Sequence, residues 1–247
     1  MRSEHFTVKR EYEPGSIQKE TDMTPEYRAT LLKLLADQAR AELFASHTYS
    51  KWVRKAPGPD EKVHLADIAR EETEHWYGTV KLLQGLGVSH SDARNYESRQ
   101  WFYSIVHLMI PRYTWLDILM MTFLIDRGAF LLVEDFTQSS YAPWAKFCRA
   151  VLDEEVGHVD FGNNFVKSQI EKYGANAVQH SLNKWWRVAL NMFGPPRTQH
   201  TDLYIRLGLK YRSNEERRQI FRRDCERQIL ELGLKVPKLY RESFPFL

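Results

Sequence analysis

The chain has 247 residues, 43% of them apolar and 13% aromatic, which is enough for a thick core and excludes disorder of the whole. Its net charge of +3 is small, and the densest basic run, 212–227, is diluted by Glu215, Glu216, Asp224 and Glu226, so charge gives no support to a nucleic-acid binder. Two cysteines, Cys148 and Cys225, are too few for a disulfide framework, and no charged leader precedes an apolar segment; both point to a reducing, cytoplasmic setting.

Residues 1–23 are polar and aperiodic and read as an N-terminal arm lying on the surface or on a partner, ahead of one domain over 24–247. Thr24-Pro25 supplies an N-cap and a Pro at the first helical position, and helical periodicity runs on to about Trp52. Ala56-Pro57-Gly58-Pro59 breaks the chain before a second helix, about Asp60–Leu86, closed by Gly85 and Gly87. Residues 90–112 read as helical but only partly amphipathic, with Pro111 expected to end them. A very apolar helix follows over about Thr114–Thr137; its Asp117, Asp126 and Arg127 mark it as a buried helix, because a bilayer would penalise each charge by roughly 2.5–3.5 kcal/mol. Ser139–Pro143 is the next break. Further helices are expected over about Pro143–Tyr173, Ala175–Phe193 and Ser213–Leu232, the last opened by a Ser213–Glu216 capping box. No segment alternates with period two. The class is all-α: a four-helix bundle with additional C-terminal helices.

Two Glu-x-x-His pairs stand out, Glu72 with His75 and Glu155 with His158. Residues three apart share a helix face, so each pair offers a carboxylate and an imidazole to one point. One such pair arises readily by chance; the doubled spacing does not. Glu42 precedes the first pair by 30 residues and Asp126 the second by 29. This layout matches the carboxylate-bridged di-metal bundle, except that Asp126 stands where the general pattern has Glu.

Local faces agree. Asp126 projects from a stripe with Leu119, Thr122, Phe123, Phe130 and Val133, while Glu42 is flanked by Gln38, Ala39, Ala45, Ser46 and Tyr49, small or polar groups that leave room for a ligand. Burying an unpaired carboxylate costs several kcal/mol, and four would exceed the roughly 5–15 kcal/mol stability of a domain. Two divalent cations balance them. Carboxylates and imidazoles without thiolates suit iron (Fe2+/Fe3+), with manganese as the alternative. Glu71 and Glu154 are either acceptors for the free ring N–H of a ligand His or members of a solvated face. Glu134, an alternative ligand on the helix of Asp126, reads rather as a rim or solvent residue, Trp185, Trp186, Met192 and Phe193 as core, Cys148 as a neighbour of Glu155, and Arg217, Arg218, Arg222 and Arg223 as a solvated face, with a partner or phosphate site as the alternative. Trp76, Phe123 and Phe130 are candidates for keeping water out.

From about Tyr27 to Pro237 the chain resembles the catalytic A subunits of ring-1,2-phenylacetyl-CoA epoxidases of phenylacetate catabolism. The resemblance rests on Trp52–Pro57, Glu71-Glu72-Thr73-Glu74-His75, Ile125-Asp126-Arg127-Gly128-Ala129, Ser140-Tyr141-Ala142-Pro143, Glu154-Glu155-Val156-Gly157-His158 and the run from Trp185 to Pro195. It implies a ferritin-like di-iron monooxygenase in which Glu42, Glu72, His75, Asp126, Glu155 and His158 hold the metals. An external reductase would supply electrons, and dioxygen and a small organic substrate would be consumed. A second ferritin-like subunit or a second copy would brace the fold. Lys33, Lys210 and Asn214 match positions that hold coenzyme A in that family, whereas Ile68 and Tyr103 replace expected lysines, and the relatives extend further at the C terminus. Two other classes share the ligand spacing or the fold: an iron-storing ferroxidase and a non-catalytic bracing subunit.

Overall fold

The computed structural model describes residues 8–89, 91–92, 113–196 and 198–238, so the expected helix over 90–112 lies almost wholly outside the described residues. Helix α1 (Pro25–Val53) starts where the Thr24 hydroxyl accepts the Tyr27 N–H, with Pro25 filling the first position, whose amide would otherwise be orphaned. After five connecting residues Pro59 opens α2 (Pro59–Gly85). So short a connection forces the two helices side by side and antiparallel. A second hairpin consists of α3 (Trp115–Met120), a π-helical turn (Met121–Ile125), α4 (Asp126–Phe136) and α5 (Ala142–Tyr173). Gly174, at φ 83°, breaks α5 from α6 (Ala175–Asn191), and α7 (Gln199–Arg206) and α8 (Asn214–Glu231) complete the chain. The Thr114–Asp117 and Ser213–Glu216 capping boxes form at the starts of α3 and α8.

The π-helical turn breaks the single regular helix expected over 114–137. It also explains a close approach: a Cβ on Gly162 of α5 would lie 2.6 Å from the Thr122 carbonyl oxygen, so only glycine lets α5 meet this turn. Arg127 follows the turn and is buried. It donates to Asp224 of α8 and to Asn163 of α5, so a charge that would disqualify a membrane span here ties three helices together. Among the described residues no helix is long and apolar enough to cross a membrane.

Apolar side chains collect in two clusters. One holds Leu65, Ile68, Leu119, Phe123, Phe165, Trp185 and Trp186; the other holds Tyr27, Leu31, Leu35, Leu83, Phe136, Trp144 and Cys148. On α1, α2 and α5 the expected metal ligands fall between residues of the two clusters. The bundle thus carries a polar layer between two apolar plugs.

Among the described residues the N-terminal arm lies on the surface of its own chain: Gly15 and Ile17 donate backbone bonds to Ser139 and Ser140, and Ile17 is buried. One expectation is corrected. Arg217 is buried as well, not solvated, because it sits against buried Asp135, 3.4 Å away, and donates to Asn214. Asp117 is also buried. Burial alone would raise its carboxyl, but bonds from Lys184, Thr114 and Trp185 hold it below the usual range.

Candidate metal centre

All six expected ligands are buried and project into the polar layer: Glu42 from α1, Glu72 and His75 from α2, Asp126 from α4, Glu155 and His158 from α5. Their ligand atoms gather in two groups, each within 4.8 Å: Glu42, Glu72 and His75, and Glu72, Glu155 and His158. Glu72 belongs to both. Nδ1 of His75 lies 3.5 Å from Glu155, and Nδ1 of His158 lies 3.6 Å from Glu72, so each imidazole faces the carboxylate of the opposite pair. Asp126 joins neither group. Its two oxygens accept the Tyr49 hydroxyl at 2.7 and 2.8 Å.

The acids preceding the two pairs have the outer role, with a crossing that spacing does not reveal. Glu154 of α5 bonds His75 of α2 at 2.7 Å, and Glu71 of α2 bonds His158 of α5 at 2.8 Å, in both cases through Nε2. A carboxylate only accepts, so the ring hydrogen sits on Nε2 and the Nδ1 lone pair faces inward. Both Nδ1 atoms and Glu155 Oε2 are buried without a hydrogen-bond partner. Buried polar atoms are rarely left so. Three orphaned acceptors converging on one layer fit a cation there.

Electrostatics point the same way. Burial, then the charge of Glu42, pushes the Glu72 carboxyl well above its ordinary range, and burial followed by Glu42 and Asp126 does the same to Glu155. Burial lifts Asp126 to about 6 against the opposing effects of His158 and Tyr49. Without cations, therefore, the folded layer retains protons that the unfolded chain releases near pH 4. A folded state that binds more protons loses stability as pH rises. Metal-free protein is expected to unfold at a lower temperature at pH 7.5 than at pH 5, with Asp126 alone contributing about 1.4 kcal/mol of the difference. Bound cations replace those protons and abolish the trend. Melting curves of chelator-treated and metal-loaded protein at the two pH values test this; a metal-free protein more stable at pH 7.5 would contradict it.

The donor set is four carboxylates and two imidazoles. Cys148 lies nearby but stays a thiol, since burial and then the charges of Glu42 and Glu155 push it well above the ordinary thiol range. This set fits iron or manganese and not a thiolate-bound zinc. Gln38 donates to Glu42. Tyr49, with no exposed surface, donates its hydroxyl to Asp126. Both residues lie on Glu42's own stripe, four before and seven after it, which was the available signal for their roles.

Other candidates fall elsewhere. Glu134 pairs with Arg212 at 2.6 Å and lines a surface cavity with Tyr211 and Gln138, away from the layer. Phe123 is in the core within the π-helical turn, while Trp76 and Phe130 are half-buried. Of the positions compared with coenzyme A sites, Ile68 is core and Tyr103 lies outside the described residues. Both ends of the Asn214 amide are used internally, by the Pro195 carbonyl and Arg217. Burial and then Arg217 lower Lys210 to about 7.

A family model described as "Phenylacetic acid catabolic protein" matches residues 1–243. The A subunit of the 1,2-phenylacetyl-CoA epoxidase of Escherichia coli (strain K12) is 26% identical over 230 residues, covering 90% of this chain and 73% of that protein. Benzoyl-CoA oxygenase component B of Aromatoleum evansii is 22% identical over 222 residues, which span 78% of this chain but only 46% of that protein. Among solved structures, a Synechococcus protein with aldehyde deformylating oxidase activity superposes with a TM-score of 0.66, at 15% identity, over 86% of this chain and 94% of its own. The superposition shows a shared fold, the ferritin-like bundle.

Proposed function

The chain belongs to the phenylacetic acid catabolic protein family, and from that membership we propose that it is an oxidoreductase holding two iron ions, which inserts one atom of dioxygen into a small organic substrate. The observation that carries the reading is the pair of imidazoles whose unpartnered Nδ1 atoms face a buried layer of four carboxylates. Glu42, Glu72, His75, Asp126, Glu155 and His158 would hold the metal. Bound iron supplies the electrons and the template for reducing dioxygen. Overall, substrate, O2, two electrons and two protons give oxygenated substrate and water, with the electrons drawn from an external reductase.

The chain's own groups prepare the site. Glu71 and Glu154 fix the tautomer and rotation of the ligand imidazoles, and Gln38 orients Glu42. Phe123 and Leu124 close the layer on the π-helical side and exclude water there. The named relatives belong to multi-part oxygenase systems, which supports a reductase and a ferritin-like partner protein here too. A substrate of the kind those names carry, an aromatic acyl-CoA, is the first to try, although the internal engagement of Asn214 gives it no added support.

Iron-reconstituted protein is expected to bind two ions per chain and to consume oxygen only when both reductase and substrate are supplied. Rapid oxidation and storage of excess iron with no substrate would instead identify an iron-storing protein. Failure to bind metal at all would identify a bracing subunit.

A further inference from the structure

We infer that Tyr49 is a positioning residue that makes the two ion positions unequal, by holding Asp126 apart from the ligands already gathered. The inference rests on the two-ion reading above. An ion entering among Glu42, Glu72 and His75 meets three ligand atoms that already lie within 4.8 Å of one another. The other position has Glu72, Glu155 and His158 equally close, but Glu72 and Glu155 lie between the two positions. The carboxylate that belongs to this ion alone is therefore Asp126, which stands outside the group, whereas Glu42 is inside its own. Asp126 is engaged. The Tyr49 hydroxyl spans both of its oxygens at 2.7 and 2.8 Å.

The contact has little freedom to relax. Tyr49 has no exposed surface, and its ring packs in the apolar cluster with Leu65, Ile68 and Leu119. Asp126 begins α4 immediately after the π-helical turn, which Gly162 of α5 backs at contact distance. The donor comes from α1 and the acceptor from the other hairpin, so the bond is fixed by the docking of the two hairpins and not by a local turn. An ion that takes Asp126 must therefore loosen a charge-assisted hydrogen bond that the first ion leaves intact. The two ions fill in order, first beside Glu42.

Cobalt(II) is a suitable probe, because its visible absorption reports each site as it fills. Titrating the metal-free full chain at pH 7.5 should give two unequal steps. Tyr49→Phe keeps the ring and deletes the hydroxyl. It should tighten the second step by roughly tenfold or more, the worth of a hydrogen bond to a charged group, and leave the first within about twofold. Damage to the fold weakens binding; only release of a restraint strengthens it. Two equal steps in the unaltered chain would overturn the inference even if the variant failed to fold, as would a second step unchanged or weakened in a folded variant. Either of those results leaves the two-ion reading standing, whereas a chain that takes up no cobalt sinks both.

Discussion

Glu155→Ala is expected to reduce bound iron from two ions per chain to one or none. Glu155 is 2% exposed and faces both imidazoles: one oxygen lies 3.5 Å from His75 Nδ1, the other 4.0 Å from His158 Nδ1. A carboxylate in that position serves both ions, so its loss weakens both at once. The same substitution has the opposite effect on the metal-free fold, where it removes one of the buried acids, Glu72, Asp126 and Glu155, that burial and then neighbouring carboxylates raise. Metal-free Glu155→Ala should therefore melt no lower than the unaltered chain at pH 7.5, despite a small cavity. Addition of iron should then raise its melting temperature far less, since stabilisation by a bound ion follows its affinity, at about 2.7 kcal/mol for a hundredfold excess over Kd. Metal analysis of the purified variant and melting curves with and without iron decide the matter. Two irons retained would contradict the assignment of Glu155 as a ligand.

That the six proposed ligands share one buried layer could be read from spacing, because a helix converts sequence separation into a face, and the layer needs only one face from each helix. Caps and breakers at Thr24, Pro59, Gly174 and Ser213 are readable for the same reason: each acts on backbone within one turn of itself. What spacing does not carry is the pairing between helices. Glu71 and Glu154 stand beside their own Glu-x-x-His pairs in sequence, yet each reaches the histidine of the other helix. That choice depends on how α2 and α5 cross. Tyr49 is visible on Glu42's stripe, but its partner, Asp126, lies 77 residues away on the other hairpin. The π-helical turn at 121–125 leaves no mark in the apolar run, since every residue of that run is compatible with a regular helix. Arg217 looks solvated in sequence because a basic run gives no hint of a buried acid at Asp135, supplied by a different helix.

The crossed histidine contacts yield a second large effect with an unusual pattern. Removing an acceptor behind a ligand imidazole costs about 10–100-fold in metal affinity. Glu154→Ala should impose that loss on the ion held by His75, which lies on the other helix, and Glu71→Ala on the ion held by His158. The Glu71 variant should suffer more, because that carboxylate is 19% exposed against 41% for Glu154, and water replaces a shielded acceptor less well. Arg70, 2.9 Å from Glu71, holds it in place and adds to the contrast. Double variants separate crossed from local action, since residues serving one ion are non-additive and residues serving different ions add. Glu154→Ala should therefore change little in a His75→Ala background and cost its full amount in a His158→Ala background. The reverse pattern, with each acid coupled to the histidine of its own helix, would mean that the outer contacts do not hold the imidazoles in solution. Equal additivity in both backgrounds would remove Glu71 and Glu154 from the site altogether and leave them as part of the solvated face.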